Sequence, residues 1–183
     1  RKGSAANKTI SSVDAAEDAG SNKLTNSDWG TFTVANTPDN WTILVGSAGT
    51  DILEETSVVF RTSTKALKIA CDGSTLTSIA QTFNSGSGTN TTLLPNTVYA
   101  FNFWGRKTTS LAAGVLSVEL VDGSNTVIAD DASTNNATTF TLSGWTTSYV
   151  AKSGFFRTPK VLPSTYKLRI RLTTAGTNSE SFY

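Results

Sequence analysis

Val98-Tyr99-Ala100-Phe101-Asn102-Phe103-Trp104-Gly105-Arg106 is the stretch that decides the fold. Successive side chains of an extended chain point to opposite faces, so Tyr99, Phe101 and Phe103 share one face and Asn102, Trp104 and Arg106 the other. The Phe and Tyr face is read as inward. The same period recurs where Tyr166, Leu168, Ile170 and Leu172 alternate with Lys167, Arg169 and Arg171, a strand with one wet side. In Val115 to Val121, Leu116, Val118 and Leu120 alternate with Ser117 and Glu119, again giving a polar side. Helix is at most a minor component.

Working outward, strand-like runs recur from Trp29 onward: Asn40 to Val45, Ser57 to Thr62, Ala66 to Cys71, Ser78 to Asn84, Val98 to Arg106, Gly114 to Asp122, Thr126 to Ala129, Ala137 to Leu142, Thr147 to Ser153 and Tyr166 to Thr173. Turn-formers punctuate them at Asp72-Gly73-Ser74, Ser85-Gly86-Ser87-Gly88, Leu94-Pro95-Asn96 and Asp122-Gly123-Ser124-Asn125. So many short strands need two sheets, and the expected fold is an all-β, two-sheet antiparallel β-sandwich. Gly86 to Thr92 is the longest weakly apolar insert and a candidate binding loop. Residues 1–23 are nearly free of large apolar side chains and read as a linker or extended arm, with Ile10 and Val13 able to pin it to a neighbour. Residues 24–183 are then the sandwich.

The composition fits. Hydrophobic residues make up 38% and charged residues 16% of the 183, so Thr, Ser, Asn and Gly fill the difference and favour strands and turns over helix. Fifteen Lys and Arg against 14 Asp and Glu, without a long run of one sign, give no footprint for a phosphate backbone, so nucleic acid is not an expected partner. No apolar stretch approaches the ~20 residues that cross a bilayer, so membrane insertion is not expected. The chain opens without Met, as if inside a longer polypeptide or after processing.

Catalytic chemistry finds few candidates. There is no histidine, so Ser-His-Asp and Cys-His arrangements lack their base. Cys71 ends an alternating run and reads as a buried strand thiol. Glycoside hydrolysis needs two carboxylates facing each other about 5 to 10 Å apart. Glu54 and Glu55 are adjacent and point apart if extended, Asp130 and Asp131 likewise, and Glu119 has only Ser117 beside it. Sequons at Asn7, Asn40, Asn90 and Asn136 decide nothing in a chain so rich in Asn and Thr.

The order of certain residues resembles the galactose-binding-like jelly rolls that include carbohydrate-binding modules of families four, nine and twenty-two. That family has an Asn-Gly-x-Phe-Glu opening before a Pro-x-x-Trp segment; here Asn26-Ser27-Asp28-Trp29-Gly30 precedes Pro38-Asp39-Asn40-Trp41. Its Ser-Leu-Lys-Leu strand looks like Ala66-Leu67-Lys68-Ile69, and its Gln-containing strand like Ile79-Ala80-Gln81-Thr82-Phe83. The most specific match is Leu94 to Arg106, with the family's loop, Tyr strand and aromatic exit; Trp145 and Tyr166 to Ile170 complete the series. The architecture also occurs in phage tail and head-decoration proteins.

The resemblance implies a non-catalytic module that stacks the apolar faces of a glycan or polysaccharide on exposed aromatic rings, with polar side chains bonding the hydroxyls. Trp104 is the first candidate, beside Asn102 and Arg106, with Gln81 and Tyr149 behind them. Trp41 and Trp145 are expected in the core, and the Lys167, Arg169 and Arg171 stripe is a solvated face that could also meet acidic glycans. The family often carries a structural calcium, for which Asn26 and Asp28 lie in the matching segment. Gly30 replaces the family's opening Glu, and the chain reaches Tyr183 where the last ligand strand would begin. An extracellular or virion-surface location follows, with a parent polypeptide or neighbouring virion subunits as partners. A structural virion domain without a sugar ligand and, more remotely, a glycoside hydrolase are the alternatives.

Overall fold

A computed structural model describes residues 22–58, 64–83, 93–132 and 134–183. Most of the arm, Ile10, Val13, the body of the Ser57 to Thr62 run, the Gly86 to Thr92 insert and the sequons at Asn7 and Asn90 lie outside the described residues. Within them the chain is nearly all antiparallel β: β1 (Thr42–Val45), β2 (Ile52–Glu55), β3 (Ala66–Cys71), β4 (Ser78–Thr82), β5 (Val98–Gly105), β6 (Val115–Asp122), β7 (Ala137–Thr141), β8 (Val150–Arg157), β9 (Tyr166–Thr174) and β10 (Glu180–Phe182). The helical content described is a single turn of 3-10 helix, Leu142–Gly144.

One sheet runs β1-β4-β9-β6-β7. The other is built from β10-β3-β2 and the β5-β8 ribbon. These two pieces join where Arg106 N–H donates to Tyr183 O at 3.0 Å and Tyr183 N–H returns to Arg106 O at 2.9 Å, with Lys107 bridged to Phe182. The second layer thus continues from β2 through β3, β10 and β5 to β8, and the molecule is a two-layer sandwich.

Alternation sets what lies between the layers. Leu116, Val118 and Leu120 of β6 sit opposite Leu172, Ile170 and Leu168 of β9 and point inward, while Ile69, Phe182 and Ile52 do so from the other sheet. Phe101 and Phe103 pack against the core, and Phe140 meets them edge-on from the first sheet, ring centroids 6.4 and 5.3 Å away. Trp41 and Trp145 are buried, as expected. Each fully buried Leu, Ile or Phe contributes roughly 1.5–3 kcal/mol over its exposed state, so this interlayer contact is what closes the sandwich. Two glycines admit it. A Cβ on Gly105 would lie 2.2 Å from Cζ3 of Trp145, and one on Gly154 would lie 2.4 Å from Cζ of Phe101.

Several expectations change. β2 was not anticipated, and neither was β10. β8 spans Val150–Arg157 rather than Thr147 to Ser153. Thr126 to Ala129 forms only isolated bridges, Val127 to Val121 and Ala129 to Asn135. The side of β9 expected to be wet is half covered. Arg169 is buried, bonded through Nε to Glu119 Oε2 at 2.7 Å and through Nη1 to the Asn125 carbonyl, while Arg171 Nε reaches Glu119 Oε1 at 2.9 Å. Glu119 is itself buried, so Lys167, Arg169 and Arg171 serve an ion cluster and the 123–125 turn.

Candidate functional site

The outward face of the second sheet collects most of the sequence candidates. In β5, Val98, Ala100, Asn102 and Trp104 face out; opposite them β8 presents Arg157, Phe155, Ser153 and Ala151. Trp104 is 41% exposed, Val98 60% and Phe155 70%, so the ribbon shows water a face of rings and aliphatics broken by the Asn102–Ser153 pair. Trp104 stands opposite Ala151, whose side chain is small. Phe155 stands opposite Ala100, four residues from the Trp104 rung, about 13 Å along the strand. Arg157 Nη2 donates to Asn96 Oδ1 at 2.8 Å and ends the ribbon. An open cleft of about 640 Å³ passes Asn102, Ser153 and Phe155 and continues to Asp130, Asn135 and Thr138.

One rung beyond Trp104 the face turns cationic. Gly105 pairs with Val150, so Tyr149 flanks Arg106 on one side; the reciprocal backbone bonds set Tyr183 on its other side. The guanidinium carbon lies 5.8 Å from the Tyr149 ring centroid and 5.5 Å from that of Tyr183. Lys68 Nζ lies 5.7 Å from the same Tyr183 ring. Tyr149 Oη donates to the Val58 carbonyl at 2.9 Å, and burial raises its pKa above the ordinary tyrosine value despite the opposing pull of Arg106. The Nε of Arg106 is buried and has no hydrogen-bond partner among the described residues.

Trp104, Asn102, Arg106 and Tyr149 therefore share one face, with Tyr183, Lys68, Phe155 and Arg157 added by the fold. Gln81 does not join them. It points inward from β4, fully buried, its Oε1 accepting from Thr25 N at 2.8 Å and its Nε2 donating to the carbonyls of Thr25 and Asn40. Gln81 is a strut that ties the 22–41 segment to the first sheet, because an amide offers a donor and an acceptor where backbone would otherwise be buried unpaired.

Asn26 and Asp28 are engaged within their own segment. Asn26 Nδ2 donates to the carbonyls of Thr31 and Asp39, and its Oδ1 accepts from Thr31 N. Asp39 spends both oxygens on Thr33, whose bonds hold its carboxyl below the usual carboxylate range, and Asp28 Oδ1 accepts from Gly30 N at 3.2 Å. Among the described residues no three acidic, Cys or His side chains gather.

The other carboxylates also have structural work. Glu54 pairs with Lys65 at 2.8 Å, Glu55 Oε1 accepts from Ser57 and Val58, Asp130 accepts from Ala132 and Thr134, and Asp131 accepts from Lys160. Asn136, one of the sequons, is buried, with its amide bridging Ile128 and Arg157. Burial pushes the Cys71 thiol up to about 11.

No protein-family model matches this sequence, and no curated protein sequence does. Solved structures match its shape. It resembles a family 61 carbohydrate-binding module in complex with beta-1,4-galactotriose, at a TM-score of 0.56 and 15% identity over 89% of this chain and 93% of that one. It resembles a family 4 module at 0.53 and 16% identity, covering 86% of this chain and 93% of that one. The fold is the jelly-roll β-sandwich that these modules share. The jelly roll here also matches the enzymatically active domain of bacteriophage CBA120 tailspike protein 4, at 0.58 and 12% identity over 88% of this chain but only 20% of that one. At such identities the jelly roll is what these structures share, and what this chain binds has to be argued from its own exposed face.

Proposed function

We propose that this chain is a non-catalytic glycan-binding module whose site is the outward face of β5, β8 and β10. The observation that carries the reading is the gathering on that face of an exposed indole, Trp104, with Asn102 and Ser153 beside it and the Arg106–Tyr149–Tyr183 row one rung away. Sugar rings have an apolar face and a rim of hydroxyls. An aromatic plane excludes water from the former, and amide, hydroxyl and guanidinium groups bond the latter. The strand geometry lines these groups up along one direction, which suits a linear chain of sugar units more than a single sugar. The similar solved structures of carbohydrate-binding modules support this reading. The module's role is adhesion or targeting of a larger extracellular protein. The tailspike likeness supports a virion context as the second reading, in which the same face meets neighbouring subunits.

A glycan array probed with wild type and Trp104→Ala tests it. Specific binding to a set of related polysaccharides, lost in the variant at unchanged melting temperature, is expected. Absence of binding to every glycan would favour the virion reading and sink this one.

A further inference from the structure

We propose that Arg106, set between Tyr149 and Tyr183, is an anion subsite that takes the carboxylate of an acidic sugar unit, so that the polysaccharide bound on Trp104 carries uronic acids. The proposal rests on the glycan reading above and narrows its ligand class.

Several of the described cations have found oxygen, whereas Lys68 and Lys152 lie over rings. Arg169 and Arg171 pair with Glu119, Lys65 with Glu54, and Lys107 Nζ donates to the carbonyls of Leu111 and Ser143. Arg106 meets aromatic faces instead and makes no ion pair with a described residue. Rings on either side strip water from the flat faces of a guanidinium, which is weakly hydrated to begin with, and leave its planar edge as the place where a partner can bind. The Nε of Arg106 is buried and out of a ligand's reach, so a carboxylate would bond the terminal Nη groups. A planar donor edge matches a carboxylate in two parallel bonds.

The surroundings have the right sign. Lys68 also lies over the Tyr183 ring and adds a second positive charge to the row. Glu55, whose charge acts on Tyr149, has one oxygen committed to the backbone and hydroxyl of Ser57 and to Val58 N. Arg106 is one rung from Trp104, about 7 Å along the strand, so a unit stacked on the indole leaves a neighbouring substituent above the guanidinium. An isolated arginine on a strand face would bond hydroxyls with little preference; one held by two rings in this setting selects charge.

The test is titration calorimetry on the full chain with uronic-acid polysaccharides, namely polygalacturonate, glucuronoxylan, alginate and hyaluronan, each beside its carboxyl-reduced neutral counterpart. Wild type is expected to bind at least one acidic polymer roughly tenfold or more tightly than its reduced form, a charge-assisted bond supplying that factor, and to lose the preference in high salt. Arg106→Gln should bind both forms alike, and Arg106→Lys should keep part of the preference, since it keeps the charge and loses the planar edge. Melting temperatures of both variants separate lost folding from lost recognition. Equal binding of acidic and reduced polymers by wild type, or an unchanged ratio in folded Arg106→Gln, overturns the subsite and leaves the glycan reading standing. Tighter binding of dextran sulfate than of any uronate overturns the carboxylate assignment. Binding to no polymer, neutral or acidic, sinks both.

Discussion

Glu119→Ala is the sharpest test of the packing account. The carboxylate is buried, with Oε2 2.7 Å from Arg169 Nε and Oε1 2.9 Å from Arg171 Nε. Arg169 is also buried and keeps only its bond to the Asn125 carbonyl once the acid is gone. Removing one partner of a buried pair leaves an uncompensated charge and costs about 3–5 kcal/mol. At about 2–4 °C per kcal/mol for a domain of this size, the melting temperature should fall by about 6–20 °C. Thermal unfolding followed by circular dichroism, with urea titration for the free energy, measures it. The pair Glu119→Leu with Arg169→Met should recover much of the loss, because apolar residues of similar volume need no counter-charge. Binding on the far sheet should be untouched while the protein stays folded. A loss below about 1 kcal/mol in Glu119→Ala would refute the reasoning, since it would mean water already reaches the cluster.

Other outcomes follow from the same structure. Trp104 leaves about 100 Å² of its roughly 250 Å² exposed, so covering it with a sugar is worth up to ~2.5 kcal/mol, and Trp104→Ala should weaken binding by up to ~70-fold in calorimetry without lowering the melting temperature. Gln81→Leu should destabilise by about 2 kcal/mol or more in urea, because the backbone groups of Thr25 lose their partners, while the affinity of the folded fraction stays as it was. Cys71, its thiol raised to about 11 by burial, should resist a thiol reagent at pH 8 in the native state and react on unfolding; fast native labelling would contradict its place in the core.

The sequence was most legible where one face is apolar and the run is long. Ala66 to Cys71 is a strand as anticipated, and Tyr166 to Thr173 falls one residue short of β9, because alternation there has a single interpretation. Ile52–Glu55 escaped because Leu53 and paired acids hide the period; its antiparallel pairing with β3 settles it. The expected Thr147 to Ser153 run stops before Gly154, which is the space that admits the Phe101 ring, and so leaves out Phe155 and Arg157. Gln81 carried its own warning: it shares parity with Ile79 and Phe83, both buried, so period two alone puts it inward. Tyr183 and Lys68 could not be found, since only the closure of β10 between β3 and β5 brings them to Arg106. The site is thus half written in one strand, Asn102 to Arg106, and half made by strands that meet it from far along the chain.

The most direct test of the central claim is amide and indole chemical-shift mapping of the isotope-labelled chain during titration with the polysaccharide selected on the array. Shifts concentrated on Asn102, the Trp104 indole, Arg106, Tyr149, Ser153, Phe155 and Tyr183 are the expected result. Shifts confined to the Lys167–Arg171 side of the first sheet, or saturable binding that leaves the Trp104 indole unmoved, would contradict it.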